Sequence, residues 1–198
     1  MEIRAIVEKV EKSGRNPFFI FISGESCAGK TFLAKKLLAY FKDEAALIEM
    51  DDYFKDRDDP SLPMFGGRLS FDLPTSYWLE EIKTDVTDLK HYIQIGMPTY
   101  DILKNVRTGK RLFDRKRVII VEGLYASMVS DAIINPEEKI NIMVKAATKT
   151  RLTRRIQRDV ARFSWSEEDI ESYFYSHIEP IGKMYISRQK ADLIIEND

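Results

Sequence analysis

The sequence predicts an α/β fold, a mainly parallel sheet of about five strands flanked by helices, in three layers. Three observations carry that prediction. Five apolar, β-prone runs, Phe18–Ser23, Ala45–Met50, Val118–Val121, Ile140–Val144 and Leu193–Ile195, alternate with stretches of helical periodicity. The first run leads into Gly24-Glu25-Ser26-Cys27-Ala28-Gly29-Lys30-Thr31, the G-x-x-x-x-G-K-T spelling of a phosphate-binding loop. Acidic residues stand directly after the second run (Asp51, Asp52) and the third (Glu122). Ligands of parallel sheets gather at those strand ends.

From the N-terminus, Ile3, Ile6, Val7 and Val10 form a helical stripe among the mixed charges of residues 1–12. Phe18–Ser23 reads as a strand buried on both faces. In the loop that follows, glycines permit turns that a Cβ would forbid, so successive N–H groups can cradle a phosphate. Lys30 is expected to reach the outer phosphates and Thr31 to take a place on Mg²⁺. Cys27 occupies a free position of the loop and reads as a small filler. Leu33, Leu37, Leu38 and Phe41 mark the next helix, whose positive end faces the same anion.

Lys55 to Ser76 holds three prolines, Gly66-Gly67 and a dense charge cluster, the composition of a long functional or disordered loop. Trp78, Leu79, Ile82, Val86, Leu89 and Ile93 predict a helix over 78–95, ended by Gly96 and Pro98. Together, residues from about 55 to 110 form an insertion on the acceptor side. A second long helix is expected from about Thr148 to Arg162, within a lid region of about 148–166. Ser166 is the predicted N-cap of a third, with Glu167, Glu168 and Asp169 in its first turn. That helix should run towards Tyr185 with a kink at Pro180.

Composition narrows the function. A chain of 198 residues suits a single domain, 1–198, with a lid. A net charge of −1 supplies no global attraction to nucleic acid or membranes. One cysteine and two histidines argue against a disulfide framework and a structural zinc site. With no signal peptide or spanning segment in view, a cytoplasmic enzyme is expected.

The acidic residues suggest phosphoryl transfer, which needs a metal, phosphate donors and a carboxylate on the acceptor hydroxyl. Asp51 is the candidate for that carboxylate, and Asp52, next in the chain, should point elsewhere. Glu122 with Thr31 would suffice for Mg²⁺, which keeps several waters. Arg151, Arg155, Arg158 and Arg162 fall at i, i+4, i+7 and i+11, one helical stripe with Asp159 as the only acid among them. Such a stripe suits an external phosphate and a lid that closes over a nucleotide. Catalytic roles are therefore expected for Lys30, Asp51 and Arg158.

In order along the chain, the phosphate loop, Asp51-Asp52-Tyr53-Phe54-Lys55, Phe71-Asp72-x-Pro74, Pro98-x-Tyr100-Asp101, Glu122-Gly123, Arg154-Arg155-x-x-Arg158-Asp159 and Ala191-Asp192-Leu193-Ile194-Ile195 resemble the uridine kinase branch of the uridine kinase and phosphoribulokinase P-loop family. The resemblance covers about residue 18 to the end. It implies an ATP-dependent (or GTP-dependent) and Mg²⁺-dependent kinase that phosphorylates the 5′-hydroxyl of uridine or cytidine. It implies Asp51 on that hydroxyl, Asp72 with Arg155 on the ribose, and Tyr100 around the base; Phe54, a further substrate-binding candidate, replaces a family tyrosine and loses its hydroxyl. Glu122 would belong to the metal site and Arg154 and Arg158 to the phosphates. The family's base-contacting histidine is replaced by Asn105, and its Glu-Arg-Gly-Arg run by Ala161-Arg162-Phe163-Ser164, which leaves Arg162 as the one candidate there. Base recognition is thus the open point. The alternatives are another nucleoside or a sugar-like or pantothenate-like alcohol as acceptor, and a nucleotide-binding switch with little turnover. The expected partner is a small molecule, and a homo-oligomer is compatible with the resemblance.

Overall fold

The computed structural model describes residues 2–133 and 135–198. In chain order the elements are α1 (Glu2–Ser13), β1 (Phe18–Gly24), α2 (Lys30–Phe41), β2 (Ala45–Glu49), β3 (Met64–Phe65), β4 (Arg68–Leu69), α3 (Leu79–Asp88), β5 (Gln94–Asp101), β6 (Val106–Asp114), β7 (Val118–Glu122), α4 (Ala126–Val129), β8 (Lys139–Lys145), α5 (Thr148–Phe163), α6 (Glu167–Tyr173), α7 (Glu179–Ile181) and β9 (Leu193–Glu196). All five predicted strand runs are strands, and they form one parallel sheet in the order β2-β7-β1-β8-β9. None of the helices is long and apolar enough to cross a membrane among the described residues.

The central strand explains the two-sided core. Phe18, Ile20 and Ile22 point to one face and pack with Ile6 and Val10 of α1 and Leu33 and Leu37 of α2. Phe19 and Phe21 point to the other and pack with Ile82 and Val86 of α3 and Val129 of α4. Each of these side chains is buried. With both faces covered, a continuous apolar run is what β1 requires. Pairing of Ile22 with Glu122 brings the carboxyl ends of β1 and β7 to the same level, so the phosphate loop and Glu122 emerge side by side.

The sequence expectation fails at residues 89–98. The helix that begins at Leu79 ends at Asp88, and Gln94–Asp101 is instead a strand paired antiparallel with Val106–Asp114. Backbone bonds from Lys90 to Thr87 and from His91 to Asp88 tighten the last turn, and Ile93, assigned to the apolar helix face, is 75% exposed. Gly96 and Pro98 are strand residues, not a helix stop. A two-stranded ribbon has free edges, where a proline without an N–H is tolerated.

The 55–76 loop is ordered. Lys55 N donates to Ser76 O and Trp78 N to Tyr53 O, which ties its two ends together, and Gly66-Gly67 turns the small β3–β4 hairpin. The expected helix after Ser166 forms, with the Ser166 hydroxyl accepting from Asp169 N. It continues to Ile186, as anticipated, but around Pro180 the helix widens into two π-helical stretches, Phe174–Ile178 and Gly182–Ile186. Inserted turns of this kind are how a helix accommodates a missing donor without breaking.

Candidate active site

The phosphate loop is shaped by two glycines that nothing else can replace. At Gly24 (φ +153°) a Cβ would lie 2.2 Å from the Val144 carbonyl oxygen, and at Gly29 (φ +106°) 2.0 Å from the Asn197 amide nitrogen. The first contact is with backbone of the adjacent strand and cannot yield. Between them, Ala28 N donates to Glu25 O, and Lys30 Nζ reaches back to the same carbonyl at 3.1 Å. Thr31 donates to Glu122 at 2.9 Å, so the two predicted metal ligands already face each other. Both offer oxygen, the donor type that Mg²⁺ selects.

Asp51 follows β2 on a single 3₁₀ turn, Met50–Tyr53. Its carboxyl opens onto the solvent of a cavity while protein encloses its other sides. Burial, then the charge of Glu122, raises its pKa to about 6, against the pull of Lys30. Lys30 is in turn lowered by burial and supported by Glu122 and Asp51. A carboxylate poised near neutrality beside the loop lysine suits proton abstraction from an alcohol. Asp52 does point elsewhere, to Arg111 at 3.1 Å.

The cavity measures about 970 Å³ and joins the loop to the acceptor-side insertion. Ser26, Cys27, Gly29, Lys30, Thr31, Asp51, Phe54, Asp72, Asn105, Glu122, Arg154, Arg155, Arg158 and Arg162 all line it. The structure therefore brings most of the predicted site together. Gly24, Glu25, Ala28 and Tyr100 do not line it. Tyr100 packs against Phe54 (5.7 Å between centroids) and donates its hydroxyl to Lys55 O, so it supports Phe54 from outside the cavity.

Asp72 is anchored on both sides. Tyr173 donates to its Oδ2 at 3.1 Å, and Tyr125 donates to its backbone carbonyl at 2.5 Å. Asn105 closes the β5–β6 turn with φ +53°, a conformation asparagine tolerates, and its carbonyl accepts from Arg57 N. It lines the cavity from the tip of that hairpin.

The arginine stripe divides. Arg154 donates to Asn197 O at 2.9 Å, beside the phosphate loop. Arg155 donates to the Ser26 hydroxyl at 2.9 Å, and Arg158 bonds Asp159 at 2.7 Å. Arg162 stacks over Phe163 and has no carboxylate within ion-pair distance among the described residues. Arg151, expected to face an external anion with the others, is 2% exposed and turned inward. It pairs with Glu179 at 2.8 Å and lies 3.3 Å from Glu25. The acids that neutralise it come from the phosphate loop and from α7, distant in sequence, which is why inspection of the helix alone could not find them. Burial raises the Glu25 carboxyl despite Arg151, whereas hydrogen bonds from Thr148 and Arg151 overcome burial to hold Glu179 low.

Several cavity residues carried no sequence signal: Tyr77, Arg68, Trp165 and Tyr173 among them. Tyr173 lies 101 residues from the aspartate it holds, on a helix whose periodicity describes its packing alone.

Residues 19–197 match the family described as phosphoribulokinase / uridine kinase. The chain is 30% identical over 181 residues to a uridine kinase of Halobacterium salinarum, covering 90% of this chain and 79% of that protein. It is 30% identical over 188 residues to a uridine kinase of Bacillus subtilis, with 92% and 87% covered. In fold it resembles a structure from Silicibacter sp. TM1040 named as a proposed fructose transport system kinase (TM-score 0.80, 18% identity, 98% of both chains). It also resembles a D-glycerate 3-kinase of Cryptococcus neoformans (TM-score 0.60, 12% identity, 87% and 83% covered).

Proposed function

The chain belongs to the phosphoribulokinase / uridine kinase family, and we propose that it transfers the γ-phosphoryl group of ATP to the 5′-hydroxyl of a nucleoside, uridine or cytidine. It is a kinase with an alcohol group as acceptor. The observation that carries the finer reading is the pair of separated carboxylates, Asp51 and Asp72, on the one cavity that Lys30 and Thr31 also line. A nucleotide switch has no use for a second, tyrosine-anchored carboxylate on the far side of its phosphate loop.

In this proposal the loop amides, Lys30, Arg154 and Arg158 hold the triphosphate and neutralise charge that grows on the transferring group. Asp51 accepts the proton of the attacking hydroxyl as its oxygen bonds the γ-phosphorus, and the bond to the β-phosphate oxygen breaks to release ADP. Asp72, fixed by Tyr173, accepts from a second hydroxyl of the acceptor, and Arg155 supports that end. Thr31 and Glu122 would hold Mg²⁺, whose charge offsets that of the phosphates. Phe54 and Asn105 would meet the base.

A second reading keeps the chemistry and changes the alcohol. Asn105 favours it, because an amide offers hydrogen bonds but neither ring surface nor charge to a pyrimidine. A Mg-ATP phosphotransfer screen over uridine, cytidine, purine nucleosides, pantothenate and simple sugars decides between them. Acceptor-dependent ADP release with uridine or cytidine supports the first reading, and release only with other alcohols supports the second. No acceptor-dependent release would refute both.

A further inference from the structure

Among the described residues, Tyr77 is the tyrosine at the acceptor end whose hydroxyl has no hydrogen-bond partner. Its neighbours are all engaged: Tyr53 donates to Asp85, Tyr100 to Lys55 O, Tyr125 to Asp72 O and Tyr173 to the Asp72 carboxylate. The Tyr77 hydroxyl is buried with no partner among the described residues, although the residue lines the cavity and is only 3% exposed. An unmet buried hydroxyl costs stability, and a native fold keeps one only for a reason.

The ring is not free to seek a partner. An antiparallel bridge joins residue 77 to Phe54, and the flanking Lys55–Ser76 and Trp78–Tyr53 backbone bonds fix it on both sides. Phe54 stacks on it at 4.3 Å, and Tyr125 meets it edge-on at 5.8 Å. Burial, then the charges of Asp51 and Asp72, push its phenol well above its ordinary range, so it keeps its proton. Both surrounding carboxylates can only accept, while a protonated phenol donates. An alcohol oxygen needs both kinds of partner, since it donates one hydrogen bond and accepts others.

We propose that the Tyr77 hydroxyl is an acceptor-binding donor that bonds a non-reacting hydroxyl of the substrate, the one whose own proton goes to Asp72. The proposal rests on the kinase reading given above. It assigns to this position a preference for polyol acceptors, because a substrate lacking that hydroxyl leaves both Tyr77 and Asp72 without a partner. A donor to the attacked oxygen would lower its nucleophilicity, which is why the assignment goes to the neighbouring one.

The test is Tyr77→Phe, which removes one oxygen and keeps the stacked ring. Steady-state rates with Mg-ATP are measured on uridine, 2′-deoxyuridine and 3′-deoxyuridine, together with melting temperature. The expected result is a fall of about 5- to 20-fold in kcat/KM for uridine with the KM for ATP unchanged. The preference for uridine over one of the two deoxy analogues should shrink by a similar factor, and Tm should hold or rise. Both preferences unchanged in a variant that still turns over uridine would overturn the proposal. So would a lowered Tm, which would mean that the hydroxyl has a structural partner. If the wild-type protein phosphorylates neither uridine nor cytidine, the nucleoside reading falls, and Tm still decides for Tyr77: a fall overturns it, a held or raised value supports it.

Discussion

Arg151→Met separates a structural arginine from a phosphate-binding one. The guanidinium is 2% exposed, bonds Glu179 at 2.8 Å and the Ala146 carbonyl at 3.2 Å, and lies 3.3 Å from Glu25. Methionine fills similar volume against Phe174 but leaves the buried Glu179 carboxyl and the partly buried Glu25 carboxyl without their cation. Loss of one partner from a buried ion pair costs about 3–5 kcal/mol, because the remaining charge is uncompensated. For a chain of this size that is a fall in Tm of about 6–20 °C. The double variant Arg151→Met/Glu179→Leu removes the orphaned charge as well and should recover at least about 2 kcal/mol. Urea and thermal melts at pH 7 measure both. The pH dependence has a definite sign. In the single variant the Glu25 carboxyl, already raised by burial, loses the charge that lowered it. A carboxyl with a raised folded pKa binds its proton more readily folded than unfolded, so the deficit narrows as pH falls. A single variant that loses less than about 1 kcal/mol, or a double variant no better than the single, would refute the buried-pair argument.

Asp51→Asn should retain nucleotide binding and lower kcat by about 10²- to 10⁴-fold, the usual yield of a positioned base; a variant with near wild-type kcat removes Asp51 from that role. The wild-type kcat/KM for the acceptor should fall on the acid side with an apparent pKa near 6, as Asp51 takes up its proton, and Lys30→Met should move that limb upward by removing the charge that lowers it; a limb that stays put in the Lys30 variant contradicts the electrostatic assignment. Tyr173→Phe breaks a hydrogen bond to the Asp72 carboxylate, so kcat/KM for the acceptor should drop by about 10- to 100-fold while the KM for ATP is kept; equal damage to both would indicate a general loss of structure. Asn105→His should raise kcat/KM for uridine if a pyrimidine sits beside it, and an unchanged value moves weight to another alcohol.

What was legible in the sequence is what is local or periodic. The inner strands β1 and β7 are continuous apolar runs because both faces are covered there, and the glycine spacing of the phosphate loop is demanded by Val144 and Asn197 pressing on Gly24 and Gly29. Asp51 and Glu122 are legible because strand ends put them at one edge, and Thr31 because it completes the loop motif. The β5–β6 hairpin is hidden in the sequence because Ile93 completes a helical stripe there, whereas the chain spends residues 94–114 on cross-strand pairing that no local window contains. Arg151 was grouped with its helical neighbours because periodicity shows which side chains share a face and not what lies opposite. Tyr77 and Tyr173 belong to the same class. Tyr173 bonds Asp72 across 101 residues and Tyr77 packs on Phe54 and Tyr125, and an aromatic residue in a loop or helix announces only that it is buried.

The latch between Asn197 and the phosphate loop has a consequence in time. Asn197 donates to Ala28 O across a separation of 169 residues, and its own carbonyl holds Arg154. At typical ribosomal speeds of about 5–20 residues per second, roughly 10–30 s separate synthesis of the loop from synthesis of its latch. Through that interval the nascent chain carries the complete G-x-x-x-x-G-K-T sequence with its glycine conformations unsecured. On the kinase reading proposed above, nucleotide binding should therefore arrive late in biogenesis, when β9 adds to β8, and not gradually as the first strand and helix emerge.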